Sequence, residues 1–166
     1  MERILTRTAW CIGLVLVQVL LLNKISLFGL ATTFLYIYIV LVADRNVDRN
    51  LLMLIAFIVG LVVDIFSNTP GVNAAASVFL AFVRPTLLRL FSPREEFENF
   101  EPGIHSLGFW PFTRYTIVSL LVHHAAVFLL EAFSFAHLGY LSLRILCSTL
   151  LTIMLVIAID SIRHRS

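Results

Sequence analysis

Charge is what this chain lacks most. Only 13% of its 166 residues are Asp, Glu, Lys or Arg, where an ordinary soluble domain has about 25%. A water-soluble fold of this length must keep a largely polar surface, and a chain that is 60% apolar cannot supply one. Glycine is modest at 7 residues and phenylalanine abundant at 14, which excludes a disordered or fibrous composition. The formal charge of +2 comes without any run of Lys or Arg, so no nucleic acid partner is expected. Cysteine is scarce. Cys11 and Cys147 are expected at different depths, unpaired, as small packing residues. No HExxH, GxSxG or Gly-rich phosphate loop occurs. No catalytic residue, cofactor or metal site is therefore expected.

What the chain has instead is long apolar runs, at 5–22, 27–43, 51–66, 71–91, 113–136 and 139–158. About 20 residues are needed to cross the ~30 Å hydrocarbon core, and the run at 51–66 is at the short end of the usual range. The sequence predicts an all-α integral membrane protein, a six-transmembrane-helix bundle forming one domain over 1–166. The first run has the basic flank of a signal peptide, in Arg3 and Arg7. Leu21-Leu22-Asn23-Lys24-Ile25 offers no small-x-small cleavage site, so the run is expected to be a retained helix. With six crossings, Arg3, Arg7, Arg45, Arg49, Arg89, Arg94, Arg114, Arg163 and Arg165 gather on the side of both termini, with Arg84 nearer that side. Only Lys24 and Arg144 fall near the other. The positive-inside rule then puts both termini in the cytoplasm.

The sizeable connection is 92–112, on the same side as the termini. Ser92-Pro93-Arg94-Glu95 has the pattern of a capped helix start, and Pro102-Gly103 would stop that helix after about Phe100. Phe97, Phe100, Phe109, Trp110 and Phe112 suit the headgroup level. The reading preferred is a solvated loop with an interfacial anchor. The sharper alternative is an acidic docking site for a cytoplasmic protein.

Charged and polar side chains inside spans are costly and mark sites. Asp64 falls near the outer end of the third run, before Thr69-Pro70-Gly71 and Asn73. A helix beginning there points backbone N–H groups at the carboxylate. Asp64 is expected to tie one helix to the start of the next; the alternative is an ion or ligand site of Asp64, Asn68 and Asn73. His123 and His124 are adjacent, point about 100° apart on a helix, and cannot chelate one metal in the i, i+4 manner. One of them facing a polar neighbour is the preferred reading. Gln18, Thr32 and Thr33 read as interhelical hydrogen-bond glue, and Ala9-x-x-x-Gly13 and Gly71-x-x-x-Ala75 permit close helix contacts. Glu131 and Arg144 stand equidistant from a tight turn at His137–Leu138, so an ion pair is expected across that hairpin.

The stretch Gly60-Leu61-Val62-Val63-Asp64-Ile65-Phe66-Ser67-Asn68-Thr69-Pro70-Gly71-Val72-Asn73-Ala74 resembles the signature of the bacterial rod shape-determining protein MreD family. That signature has G-L-x-x-D, a short polar loop with Ser, a Pro/Gly pair and G-x-N-A opening the next helix. Length and the six expected spans fit the same family over essentially the whole chain. Residues 92–101 look like an elaboration of the family's cytoplasmic loop. The resemblance implies a non-enzymatic scaffold or adaptor of the inner membrane, acting in cell-wall elongation and cell shape. It would bind MreC directly. MreB and the peptidoglycan glycosyltransferase and transpeptidase would be reached indirectly, and the lipid bilayer is its other neighbour. It implies a fold similar to the S components of energy-coupling-factor transporters, and hence a rival function, a small-molecule-binding transporter subunit. The short outer connections lean against the rival. Under the resemblance, the structural or partner-binding residues are Asp64, Asn73, Thr69, Pro70 and Gly71, with Glu131 and Arg144 added from the hairpin argument.

Overall fold

Three helix starts in this chain are held by aspartates that take up orphan backbone N–H groups. The computed structural model describes residues 2–22, 26–27, 31–92, 100–132 and 138–163. Within them the protein is all-α apart from a two-residue strand pair. Helix α1 is Glu2–Leu20. Strands β1 (Ser26–Leu27) and β2 (Ala31–Thr32) pair antiparallel, with Ser26 opposite Thr32. A 3-10 turn at Leu35–Ile37 leads into a one-turn helix α2, Tyr38–Leu41. Then follow α3 (Arg49–Ser67), α4 (Val72–Phe91), the short α5 (Ile104–Leu107), α6 (Phe109–Ala132) and α7 (Leu138–Arg163).

Among the described residues, four helices are long and apolar enough to cross a membrane: Arg49–Ser67, Val72–Phe91, Phe109–Ala132 and Gly139–Arg163. Their burial is inverted relative to a soluble fold. Helix α3 turns Leu54, Phe57, Ile58 and Ile65 outward and keeps Ala56, Gly60 and Asp64 inward. Gln18, Asn73, Arg84, His123, His124 and Asp160 are all buried, while Leu90, Leu150 and Met154 are exposed. Such a surface is stable against lipid and not against water. The protein has the character of a multi-pass membrane protein.

The run at 27–43 departs from expectation, because its described part is not a continuous helix. Between Ala31 and Ile37, Thr32, Thr33 and Ile37 are β-branched and Phe34 and Tyr36 aromatic, all residue types that lose rotamer freedom in a helix. The backbone stays extended and then coils tightly. It is tolerated because residues 33–42 are buried throughout by the surrounding helices. Side chains of those helices replace the missing helical bonds. The Gln18 carboxamide receives the Leu35 N–H at 2.6 Å and donates to the Thr33 carbonyl at 2.8 Å. Ser148 accepts from the Thr32 N–H at 3.0 Å and Thr152 from the Phe34 N–H at 3.4 Å. At the far end Tyr115 donates to the Leu41 carbonyl at 3.1 Å, and Arg84 donates to the carbonyls of Leu41 and Ala43. The segment is the axle of the bundle.

The interval 92–112 is also shorter than expected, since α6 already begins at Phe109. Phe109 and Trp110 lie exposed at that end, as interfacial rings should. Phe112 is a correction: it is fully buried and packs on Tyr115. The helix expected after Ser92 lies at 93–99, outside the described residues. The part that follows is strapped to the bundle. The Ile104 N–H donates to Asp160 at 2.7 Å, and Tyr38 donates to the other oxygen of the same carboxylate at 2.7 Å. Arg163 pairs with Glu101, and the Phe100 carbonyl accepts from the Arg45 N–H at 3.1 Å.

Candidate functional site

The densest polar construction is the junction of α3 and α4. Asp48 opens α3 by accepting from the N–H groups of Asn50 and Leu51. The helix closes at Asn68, whose left-handed backbone (φ 56°) is a C-terminal stop that Asn tolerates. Gly71, at φ 83°, supplies the reversal into α4. Asp64 points across that turn. Its Oδ1 accepts from the Thr69 hydroxyl, the Asn73 N–H and the Asn73 carboxamide Nδ2, each at 2.9 Å. Its Oδ2 accepts from the Ala74 N–H at 2.9 Å. One carboxylate therefore satisfies two orphan donors of the α4 N-terminus. Gly60, one turn earlier, lets the helices touch: a Cβ there would lie 2.6 Å from the Ala74 Cα.

Asp64, Thr69 and Asn73 are thus brought together, and Gly71 shapes the turn that joins them. Pro70 is exposed in that turn. An ion site of Asp64, Asn68 and Asn73 is not what the geometry builds. The Asn73 side chain turns its amino group to Asp64, and a cation needs oxygens. Among the described residues, no group of three or more His, Cys, Asp or Glu is placed to hold a metal.

The network continues inward from Asn73. Both protons of Nδ2 are engaged, by Asp64 and by Thr69 at 3.0 Å. Its Oδ1 is consequently an acceptor, and Tyr36 donates to it at 3.1 Å. With that proton committed, the Tyr36 oxygen accepts from His123, whose Nε2 stands 3.1 Å away. The network assigns His123 the Nε2–H tautomer and leaves Nδ1 as a bare acceptor. His124 takes the opposite tautomer. Its Nδ1 donates to the Leu120 carbonyl at 2.6 Å, and its Nε2 lies 3.4 Å from Thr152. Each histidine faces polar neighbours. Asp64 Oδ1 accepts three hydrogen bonds and Oδ2 one, so the carboxylate is held as an acceptor at the start of α4.

Sequence reasoning did not single out Tyr36, Arg84 or Asp160 as sites. Tyr36 and Tyr38 look apolar in a hydropathy window while carrying the hydroxyls that join the segments. Arg84 and Asp160 were open to the rule that an intramembrane charge marks a site. The close contacts that Ala9-x-x-x-Gly13 and Gly71-x-x-x-Ala75 permit are not made at their glycines among the described residues, since nothing stands within 4 Å of a Cβ built at Gly13 or Gly71. The close contact occurs at Gly60 instead.

Glu131 and Arg144 stand face to face, with Arg144 Nη2 3.2 Å from Glu131 Oε2. The guanidinium also lies 4.4 Å from the centroid of the Phe128 ring. Glu131 is 40% exposed, so the pair is at the bundle surface rather than sealed inside. Exposure lowers the expected effect. Glu131→Gln or Arg144→Gln should each cost about 0.5 kcal/mol, near the mean for polar contacts in membrane proteins. A double-mutant cycle on thermal unfolding in detergent should show coupling, and strictly additive losses would mean the contact contributes nothing.

No protein-family model, no curated protein and no solved structure matches this chain.

Proposed function

We propose that this protein is a non-enzymatic scaffold of the bacterial cell-wall elongation complex, a protein of the MreD type that binds MreC. One observation carries the reading. The residues on which the resemblance rests, Gly60, Asp64, Gly71, Asn73 and Ala74, are used in locking α3 to α4. None is left to a substrate. A motif spent on helix geometry suits a protein whose task is to present a fixed surface, and MreB and the glycosyltransferase and transpeptidase would be engaged through it indirectly.

The proposal includes six crossings of the inner membrane, in a bundle similar to the S-component fold. Helix α1 would be the first and the broken segment 31–43 the second. That segment has about four extended residues at ~3.3 Å, three 3-10 residues at ~2 Å and the rest at ~1.5 Å, together about 28 Å, close to the hydrocarbon thickness. Both termini and the interval 92–112 would be cytoplasmic on the Lys/Arg bias.

Extraction in mild detergent and identification of what co-purifies tests the function. A single-span protein with a large outer domain is expected. A bound vitamin-sized molecule or an ATPase pair would replace the scaffold by a transporter subunit. Topology is tested by Asn46→Cys in a chain with Cys11 and Cys147 replaced by Ser. Labelling of that position in intact cells by an impermeant reagent would invert the orientation.

A further inference from the structure

The seam between α4 and α6 holds polar atoms that the protein leaves without partners. Two contacts fix its register. Tyr36 bridges Ser77 of α4 and His123 of α6, at 3.2 and 3.1 Å. Seven residues away, Arg84 of α4 and Tyr115 of α6 both donate to the Leu41 carbonyl. Carried along the two antiparallel helices, these links put Ser77 at the depth of His123, Ala81 at that of Ser119 and Arg84 at that of Thr116. All six are buried, with at most 2% exposure.

On this helix pair Arg84 Nε, Thr116 Oγ1 and His123 Nδ1 have no hydrogen-bond partner among the described residues; Ser119 Oγ makes no close hydrogen bond but lies beside the Tyr115 hydroxyl of its own helix. Thr113 Oγ1, one turn beyond Thr116, has none either. These α6 positions are spaced i, i+3, i+6, i+10 and so lie along one side of the helix. A second feature adds an acceptor at the same level. Pro85 lies inside α4 and has no N–H, so the Ala81 carbonyl loses its i+4 donor. At the depth of Ser119, Ala81 adds only a methyl group.

Several orphaned polar atoms in one line are a rare and costly arrangement in a dry interior. Broken helices and interior prolines at membrane depth are commonly satisfied by ordered water. The donors and acceptors here alternate as a water needs them. The Arg84 Nε–H gives, the hydroxyls give and take, and the bare His123 Nδ1 takes. From Thr116 to His123 the helix rises about 10 Å, enough for two or three waters at ~2.8 Å spacing. We propose that the α4–α6 seam is a binding site for a short file of ordered water, running from Arg84 to the Nδ1 of His123. The file stops there, because the other side of that imidazole is held by Tyr36.

His124 is the internal control. It is adjacent, equally buried, and has protein partners on both ring nitrogens. Water-to-protein magnetisation transfer is measured by solid-state NMR on 15N-histidine-labelled protein in bilayers. His123 is assigned by loss of its signal in His123→Asn. Rapid transfer from water to the His123 ring is expected, with little to His124. A His123 ring as silent as that of His124 overturns the proposal. Thr116→Val supplies a second measurement, because an orphan hydroxyl and a hydrated one respond with opposite sign. A hydrated seam loses a water contact, and Tm should fall by about 2–4 °C. A dry seam is relieved of an unsatisfied group, and a rise in Tm likewise overturns the proposal.

Discussion

Asp64→Ala should be among the most damaging single substitutions in the protein. The carboxylate accepts four hydrogen bonds, from the Thr69 hydroxyl, the Asn73 and Ala74 N–H groups and the Asn73 carboxamide. Alanine leaves the two N–H groups buried at a helix N-terminus with no acceptor. A bond to a charged group contributes about 1.5–3 kcal/mol and an abandoned buried donor costs about 1–3 kcal/mol. These do not add in full, since Asn73 can rotate, so a loss of about 3–5 kcal/mol is expected. That exceeds the roughly 1–2 kcal/mol of an ordinary helix cap. The consequence travels inward, because Asn73 also orients Tyr36 and through it His123. Asp64→Asn keeps one acceptor oxygen but sets an amino group against a backbone donor, and should fall between wild type and Asp64→Ala. Thermal unfolding in detergent gives the order. A stability of Asp64→Ala within 1 °C of wild type would mean that the junction does not hold α3 to α4.

The α3–α4 junction was legible in the sequence because its parts are close together. Asp64 and Asn73 are nine residues apart, and the turn between them carries Thr, Pro and Gly in an order with local conformational meaning. The Glu131–Arg144 contact was legible for a related reason, since a tight hairpin fixes equal depth from spacing alone. The segment 31–43 was not legible. Its apolar run has no period to separate helix from extended chain. What decides its shape is distant: Ser148, Thr152 and Asp160 lie 116, 118 and 122 residues from the groups they bind. Hydropathy counts Tyr36 and Tyr38 toward a span, whereas their hydroxyls tie the segment to Asn73 and Asp160. The α4–α6 seam fell between these cases. Thr116 and His123 show their spacing on one helix, but the lack of a partner at Thr116 Oγ1 and His123 Nδ1 belongs to packing and has no signature in sequence.

Gly60→Ala should be nearly as harmful as Asp64→Ala, by a different route. The added Cβ would lie 2.6 Å from the Ala74 Cα, 2.8 Å from the Ala74 nitrogen and 2.8 Å from the Asn73 oxygen. All three are backbone atoms, so no rotamer change relieves the clash and the helices must separate. In a helix exposed to lipid, Gly→Ala alone should help, by about 1 kcal/mol of propensity. Overpacking against backbone outweighs this, with a net loss of about 2–3 kcal/mol. Separation also lengthens the bonds from Asp64 to the Asn73 and Ala74 N–H groups, since these donors belong to the residues that would be pushed away. Gly60→Ala and Asp64→Ala should therefore be strongly non-additive, the double variant losing little more than the worse single one. Gly13→Ala is the matched control, because nothing lies within 4 Å of a Cβ there. It should leave Tm unchanged or raise it. Equal responses at Gly60 and Gly13 would refute the close contact of α3 with α4. A fully additive pair would show that Gly60 and Asp64 hold different structures, not one interlock.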